Sequence, residues 1–331
     1  MHKLSRNILS AAILAGLTSQ VAALNIVLTN DDGFETPNIQ ILYSALVAAG
    51  HDVILSAPFS GQSGTSGQIA FLRPIGPSSE PSEAGLLPAG SYGIGETTIA
   101  TQQYYVNGSP TAAALYGMDV KAQDIWGARP DLLISGPNEG NNLGVITPHS
   151  GTVGATVTAL NKGIPAVAVS AKSGDPEQAE VVADLVVKLV DALDGPRGVK
   201  LPQSIGLNVN MPAIDVATQS ADDFTFTFTR IGTSSTMGLQ FYEALGESPV
   251  AVGFGIPPET TLPGVSVEIP ATLAGYPEDD SRHSESNVLG PKTVTVSVIQ
   301  GTYAADRPTE NKVKAKLMRL FHGHREYGIE R

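Results

Sequence analysis

Two adjacent acidic residues, Asp31 and Asp32, directly follow a short apolar run at residues 24–29. Their carboxylates repel each other, and burying both at the end of a strand without a partner is costly. A hard divalent cation removes that cost, because Mg²⁺, Mn²⁺ and Ca²⁺ prefer oxygen ligands. Taken alone, however, an Asp-Asp-Gly sequence is more often a turn or a helix cap.

Three other polar segments contain residue types that bind metals or oxyanions. Residues 60–67 combine glycines, which let a ligand approach the backbone, with hydroxyl and N–H groups, although Ser/Gly segments are also common linkers. The Asn-rich residues 135–142 belong to a Gly/Asn loop predicted at residues 136–144. They suit a neutral metal ligand or a phosphate donor, or simply tolerate left-handed backbone. Ser150 begins a predicted helix whose free N–H groups and dipole attract phosphate, unless Ser150 is only an N-cap.

The elements that must position these segments alternate between strand and helix through the first two thirds of the chain. Short apolar runs rich in β-branched residues predict buried parallel strands at residues 24–29, 52–57, 103–106, 131–135, 165–170 and 205–209. Helical patterns predict helices at residues 38–49, 111–118, 150–162 and 176–194. Ligands gather beyond the carboxyl ends of parallel strands, so all four polar segments lie where a site is expected.

The rest of the chain is less regular. Residues 61–95 are dense in Gly, Ser and Pro without a period, which is typical of a long functional or mobile excursion. Residues 224–229 alternate strictly between Phe and Thr, which predicts a half-buried antiparallel strand, and residues 293–299 alternate in the same way. A final helix is predicted at residues 311–321. The last third is therefore a β-rich extension beginning at about residue 220.

The first 23 residues have the pattern of a secretory signal peptide. A basic start precedes an apolar run too short to span a bilayer, and small residues suit cleavage after Ala23. Residues 24–302 then form the main domain and residues 303–331 a helical tail. We expect a secreted protein that does not cross the membrane.

The composition excludes several functional classes. With no Cys, the chain has neither disulfides nor thiol chemistry. Loss of the basic leader residues Lys3 and Arg6 changes the net charge from −12 to −14, which disfavours binding to duplex nucleic acid. A content of 42% apolar and 16% charged residues is that of a globular protein, not of a disordered one.

Five motifs in order resemble the motif series of the SurE family, over roughly residues 24–300. They are residues 30–33, 57–66, 135–140, 150–153 and 207–212. The resemblance implies an α/β fold with a Rossmann-like three-layer core, a mostly parallel sheet and a C-terminal β-rich extension used in oligomerisation. It also implies a metal-dependent nucleotidase or acid phosphatase that assembles as a homodimer or homotetramer.

The resemblance also assigns roles to individual residues. The metal ligands are Asp31, Asp32, Ser63 and Asn138, with Mg²⁺ or Mn²⁺ as the expected ion and Ca²⁺ as an alternative. The two aspartates are also the expected catalytic residues, one of them acting as a base or as a covalent nucleophile. The expected substrate is a small phosphorylated metabolite, a nucleotide in particular. Its phosphate is expected to bind at Asn30, Gly64, Ser66, Ser150, Gly151 and Thr152.

Two segments depart from the family pattern. Residues 108–113 read Gly-Ser-Pro-Thr-Ala-Ala where the family has Gly-Thr-Pro and then Asp-Cys, and Ser284-Glu285 replaces a Thr-Asp pair. Neither change affects the expected metal ligands, so they bear on substrate preference and subunit contacts. His149 is either a proton donor to the leaving group or a surface histidine.

Two alternatives differ in class from a phosphatase. A binding protein of the same fold without turnover is disfavoured by the complete set of expected metal ligands. An NAD-dependent enzyme is disfavoured because the first strand is not followed by three spaced glycines, and because the paired carboxylates repel a pyrophosphate.

Overall fold

The computed structural model describes residues 23–196, 198–233 and 235–318. The predicted signal peptide, residues 1–23, lies outside these residues except for Ala23. Nowhere in this described part is a helix both long enough and apolar enough to span a membrane.

Within the described residues, nine strands form one sheet and two more form a separate ribbon. The nine are β1 (Asn25–Thr29), β2 (Asp52–Pro58), β3 (Ile94–Glu96), β4 (Gln103–Val106), β5 (Leu132–Glu139), β6 (Ala166–Ala171), β7 (Ile205–Asn210), β8 (Thr225–Thr229) and β11 (Thr293–Gln300). The ribbon pairs β9 (Gly238–Tyr242) with β10 (Gly264–Glu268) in antiparallel register. The buried patterns of β1, β2 and β6 agree with their reading as near-continuous apolar strands.

The sheet has the strand order β3-β4-β2-β1-β5-β6-β7-β11-β8. Strands β4, β2, β1, β5, β6 and β7 are parallel, while β3 and β11 run antiparallel to their neighbours β4 and β7. The chain builds outward from β1 in one direction through β2 and β4, and in the other through β5, β6 and β7. The direction of building therefore reverses between β1 and β5, which is where open α/β sheets place their ligands.

Helices cover both faces of the sheet, which confirms the three-layer prediction. On one face α1 (Pro37–Ala48) packs against α5 (Pro176–Leu193), and on the other α2 (Pro110–Tyr116) packs against α4 (Gly151–Asn161). The α5 positions Val182, Leu185, Val186, Leu189 and Leu193 are all buried. Each such side chain removed from water stabilises the fold by about 1.5–3 kcal/mol before entropy is counted.

Four shorter or peripheral helices complete the α-helices of the described residues. They are α3 (Ala122–Trp126), α6 (Pro249–Gly253), α7 (Glu285–Val288) and α8 (Arg307–Lys316). The helix predicted at 111–118 ends at Tyr116, where a π-helical turn over Gly117–Lys121 continues into α3. The final helix begins four residues before its predicted start, because the Asp306 side chain accepts from the N–H of Thr309 and caps it.

Two sequence-based predictions of strand geometry are wrong. The alternating strand β8 runs parallel to its partner β11 and not antiparallel, since alternation defines the two faces of a strand but not its direction. The Gly/Asn segment 136–144 was predicted to be a loop throughout. Instead β5 continues to Glu139 through a register shift between Ser135 and Asn138 and pairs Asn138 with Ser170 of β6.

Candidate active site

The predicted metal ligands lie at the carboxyl edge of the sheet, where β1 and β5 end side by side. Thr29, the last residue of β1, pairs with Ser135 of β5, so Asp31 and Asn138 leave adjacent strands at the same edge. Helix α4 begins at this edge, and the 60–67 segment crosses it. All four predicted polar segments are thus brought together.

Asp31 is almost fully buried against the first turn of α4. The residue is 3% exposed, and its Oδ1 accepts a hydrogen bond of 2.6 Å from Thr152 Oγ1. Burial raises the pKa of Asp31, while the Thr152 hydroxyl and the N–H groups of Thr152 and Gly151 oppose that rise. Gly151 permits this approach, because a Cβ there would lie 2.9 Å from the Cβ of Asp31. The first turn of α4 therefore fixes Asp31 in place.

Asp32 has fewer partners and more repulsion. Its Oδ2 accepts a hydrogen bond of 3.0 Å from the backbone N–H of Glu139. Burial, followed by the negative charge of Asp31 and those of Glu139 and Glu83, raises the pKa of Asp32 to about 8. A cation between the two aspartates would reverse this effect, since it stabilises both ionised carboxylates.

The Ser/Gly segment, residues 60–67, is held beside the aspartates by hydrogen bonds near both of its ends. Near its start, the N–H of Gln62 donates to the backbone oxygen of Asp31 over 2.7 Å, which places exposed Ser63 next to the acidic pair. Further along, Ser66 Oγ donates to Pro148 O over 2.7 Å, and the Ser66 N–H donates to His149 O. Gly154 lies directly beneath: a Cβ there would be 2.2 Å from the Ser66 backbone.

Asn138 is 9% exposed, and its position is set by the unexpected end of β5. Its Nδ2 donates to Gly140 O over 2.6 Å, which leaves Oδ1 as the atom available to a ligand. The neighbouring residue Glu139 supplies the N–H bonded to Asp32. The strand extension thus places Asn138 immediately before the residue whose N–H binds Asp32.

Three predicted phosphate-binding residues use their side chains inside the protein. Asn30 donates to Gly33 O over 2.8 Å and accepts from the Gly33 N–H, so it shapes the turn that carries the aspartates. Ser150 accepts from the N–H of Val153 and is the N-cap of α4. The Thr152 hydroxyl binds Asp31. Their contacts with phosphate, and those of Gly64, Ser66 and Gly151, stay predictions.

His149 is exposed and is the last residue of the 3₁₀ helix Gly144–His149. Its backbone oxygen binds the Ser/Gly segment, while Ser150 immediately after it caps α4. The histidine ring is therefore near the site without being built into it, and its role as a proton donor stays a prediction.

Three glutamates near the site were not foreseen from the sequence. Glu35 accepts from Ser82 Oγ, Ala84 N and Leu86 N, which ties the long excursion to the first motif. From that excursion, Glu83 Oε1 accepts from Gly61 N over 2.9 Å at the start of the Ser/Gly segment. Glu139 adds its charge beside Asp32. No local pattern marked them, because each contact joins residues far apart in a segment without a period.

The Ser284-Glu285 departure lies away from the aspartates, beneath β7 and β11. Glu285 is fully buried, and its carboxylate accepts from Gly144 N, Asn208 Nδ2 and Ser297 Oγ at 2.9, 3.2 and 2.8 Å. Burial raises the pKa of Glu285 although all three donors oppose the rise. This carboxylate is a structural anchor for the segment that follows Asn142.

The residues present fit a hard divalent cation. Among the described residues, no group of three or more His, Cys, Asp or Glu side chains is arranged to hold a metal. A site built on Asp31 and Asp32 therefore needs neutral oxygens for its remaining protein ligands, and the Ser63 hydroxyl and Asn138 amide supply that chemistry.

Comparison with known proteins gives a consistent result at the level of family. A family model described as "Survival protein SurE" matches residues 26–237. The chain is 34% identical over 206 residues to an acid phosphatase of Yarrowia lipolytica, covering 57% of each protein. It is 34% identical over 198 residues to a 5'-nucleotidase SurE of Solidesulfovibrio magneticus, covering 59% of this chain and 67% of that one.

The fold is also found among solved structures. A SurE protein from Aquifex aeolicus superposes with a TM-score of 0.62 at 22% identity, covering 88% of this chain and 99% of the other. At this identity the likeness concerns the fold alone. The chain spans just over half the length of the Yarrowia relative, so the activity of that whole protein does not transfer directly.

Proposed function

The chain belongs to the SurE family, and on that premise we propose that it is a metal-dependent phosphomonoesterase that hydrolyses nucleoside monophosphates. The observation that carries the proposal is the pairing of Asp31 with Asp32 at the reversal point of the sheet, where both carboxylates are partly or fully buried among other acids. The names of the relatives, an acid phosphatase and 5'-nucleotidases, support the same class of reaction.

Asp31, Asp32, Ser63 and Asn138 would hold the ion, for which Mg²⁺ or Mn²⁺ suits the donor set and Ca²⁺ is the alternative. When bound, such an ion neutralises charge on a phosphate oxygen and lowers the pKa of a coordinated water. Thr152 keeps the Asp31 carboxylate in one orientation through its 2.6 Å hydrogen bond. The Glu139 N–H does the same for Asp32.

The phosphate of the substrate would lie between the acidic pair and the start of α4. Gly64 has a positive φ of 80° and Ser66 of 52°, so the Ser/Gly segment turns sharply beside the acidic pair. The eleven-residue helix α4 begins at Gly151 and Thr152, after its N-cap Ser150, and its dipole favours an anion there. Fixed donors of this kind stabilise the charge that develops on the phosphoryl oxygens during transfer.

One of the two aspartates also acts as a base or as a nucleophile. Asp32 is the more accessible, since Asp31 is 3% exposed and bonded to α4. We propose in addition that the protein is secreted after cleavage near Ala23, on the strength of the sequence pattern alone. Assembly into a homodimer or homotetramer is proposed from family resemblance.

A substrate panel tests the proposal. Phosphate release from nucleoside monophosphates and p-nitrophenyl phosphate is measured after dialysis against EDTA, and again with Mg²⁺, Mn²⁺ or Ca²⁺ restored. We expect activity only with added metal, and a preference for nucleotides. Turnover that EDTA does not affect would contradict the metal-dependent mechanism. Tight nucleotide binding without phosphate release under any metal would instead favour the non-catalytic binding protein.

A further inference from the structure

Glu83, from the long excursion at residues 61–95, reaches back to the start of the Ser/Gly segment. Its Oε1 accepts a hydrogen bond of 2.9 Å from the backbone N–H of Gly61, and a Cβ at Gly61 would lie equally close to that oxygen. The lack of a side chain at Gly61 therefore lets the carboxylate bond to the chain at this point. Gly61 lies two residues before Ser63, the expected hydroxyl ligand of the cation.

The turn that carries Ser63 is closed by hydrogen bonds on both of its sides. Before Ser63, the N–H of Gln62 donates to the backbone oxygen of Asp31 over 2.7 Å. After it, the N–H and the hydroxyl of Thr65 both donate to Gln62 O, over 3.2 and 2.7 Å. The position of Ser63 thus depends on where the chain enters this turn, which is at Gly61.

Glu83 belongs to a closed turn, residues 82–87. The N–H of Ser82 donates to Leu87 O, and the N–H of Leu87 donates back to Ser82 Oγ, both over 2.9 Å. The N–H of Gly85 donates to Ser82 O over the same distance. Ser82 is 2% exposed, and Leu87 packs against the main hydrophobic core. The turn thus holds the backbone of Glu83 at a fixed place relative to the sheet.

Glu35 ties the same turn to the segment that carries the aspartates. Its carboxylate accepts from Ser82 Oγ over 2.7 Å and from the N–H of Ala84 over 2.8 Å. The residues on either side of Glu83 are therefore both bonded to Glu35, which lies three residues after Asp32. The 82–87 turn is thus held by the first motif, and through Glu83 it holds the start of the Ser/Gly segment.

Glu83 also lies close to Asp32. The two residues line one cavity of about 220 Å³, together with Glu35. Within the described part of the chain, no three acidic side chains are arranged to hold a metal, so this geometry does not make Glu83 a ligand. Its hydrogen bond to Gly61 and its negative charge are then two separate ways in which Glu83 can act on a cation at the aspartates.

From these contacts we propose that Glu83 is a positioning residue, which fixes the turn that presents Ser63 beside the aspartates by holding Gly61. This inference rests on the proposed function for the role of Ser63 as a metal ligand. The placement of Ser63 is a separate claim, because it should hold in the metal-free protein as well. The 82–87 turn is then part of the metal site, although it supplies no ligand.

Three variants test the inference by calorimetric titration with Mn²⁺ after dialysis against EDTA. Glu83→Ala removes the acceptor of the Gly61 N–H. We expect it to bind Mn²⁺ about tenfold more weakly, at the lower limit of the about 10–100-fold that such supporting contacts contribute, because Glu83 is exposed. Glu83→Gln removes the charge but keeps an oxygen for that N–H, so its affinity should stay within about threefold of wild type. Glu80→Ala is the matched control and should change nothing, since Glu80 is an exposed glutamate of the same excursion outside this set of hydrogen bonds.

Hydrogen exchange in the metal-free protein, followed by mass spectrometry of peptides that cover residues 60–67, measures the placement of the turn directly. We expect exchange there to be about tenfold faster in Glu83→Ala, and unchanged in Glu83→Gln and Glu80→Ala. If this pattern appears while wild type binds no Mn²⁺, the proposed function fails and the positioning role stands. Unchanged exchange in Glu83→Ala would overturn the positioning role. So would equal effects of Glu83→Ala and Glu83→Gln, or unchanged Mn²⁺ affinity in Glu83→Ala where wild type binds the ion.

Discussion

Two buried carboxylates, Asp32 and Glu285, are treated very differently by this fold. Glu285 accepts hydrogen bonds from three separate donors, and within the described residues no charge of another acid raises its pKa. The Asp32 carboxylate accepts one hydrogen bond, from the backbone N–H of Glu139. The negative charges of Asp31, Glu139 and Glu83 lie close to it. Burial raises the pKa of both groups. The protein thus supplies hydrogen-bond donors for the Glu285 carboxylate, whereas an ionised Asp32 requires a cation that the protein does not supply.

The largest expected effect is the loss of phosphate release when Asp32 is replaced. Asp32→Asn should lower phosphate release by about 10³-fold, equivalent to about 4 kcal/mol of transition-state stabilisation, because a ligand of the cation is lost. The same change should raise the metal-free free energy of unfolding by about 1 kcal/mol, because the folded protein no longer has to bury a repelled charge or take up a proton at this position, while an oxygen remains to accept from Glu139.

Phosphate assays and urea titrations measure the two effects of Asp32→Asn. Asp184→Asn, on the exposed side of α5, is the control and should change neither. Wild-type rates in Asp32→Asn would remove the basis of the proposed function.

The second prediction concerns Glu285, whose replacement should lower the free energy of unfolding, whereas Asp32→Asn should raise it. Glu285→Ala leaves the N–H of Gly144, the Asn208 amide and the Ser297 hydroxyl without their acceptor in a buried place. We expect the free energy of unfolding to fall by about 2–4 kcal/mol. Urea titration tests this, with exposed Glu243→Ala as a control that should stay within about 0.5 kcal/mol. A loss as small as that of the control would show that the network contributes little.

The third prediction tests whether the first turn of α4 orients Asp31 for metal binding. Thr152→Val removes the hydroxyl that donates to Asp31 Oδ1, and loss of such a supporting contact commonly weakens metal binding about 10–100-fold. Thr156→Val is matched to it, since Thr156 is equally buried one turn later and donates to Thr152 O instead. Calorimetric titration with Mn²⁺ compares the two variants. Equal affinities would mean that Thr152 does not orient the ligand.

The smallest expected effect is the pH dependence contributed by Glu285. Its pKa is raised in the folded protein, so the folded state binds a proton more tightly than the unfolded state does. Stability from this group is therefore fully present below its unfolded pKa and declines as pH rises through its folded pKa. The free energy of unfolding is measured against pH for wild type and for Glu285→Gln. The difference between the two curves gives the contribution of Glu285. A difference that rises with pH would contradict the direction of the shift.

Much of the fold was predictable because continuous apolar runs and helical spacing are local signals. The boundaries of β1, α5 and β7 lie within a residue or two of their predicted positions. The end of β5 was missed because Gly136 and Pro137 are typical of loops, whereas here a register shift keeps Asn138 paired with β6. The direction of β8 depends on its partner β11, about 70 residues away, and no local pattern encodes it.

At the candidate site, residue types were easier to predict than contacts. Asp31, Asp32 and Asn138 stood out by their place after predicted strands and were assigned as metal ligands by the resemblance to the SurE family; the structure brings them to one edge of the sheet. Thr152 was expected to face a phosphate, yet its hydroxyl binds Asp31, since a helix start can serve a carboxylate of the protein as well as a ligand. The contacts of Glu35 and Glu83 join segments 22 or more residues apart, and tertiary packing alone decides them.

The hydrogen bond between Asp31 and Thr152 also has a consequence for biosynthesis, because it joins residues 121 positions apart. Translation proceeds at about 5–20 residues per second, so Thr152 leaves the ribosome about 6–24 seconds after Asp31. Until Thr152 emerges, the acidic pair lacks the hydroxyl donor that holds Asp31, and for most of that interval it also lacks the strand end that carries Asn138. The arrangement that holds both aspartates is therefore completed late in synthesis, when the two halves of the sheet have met.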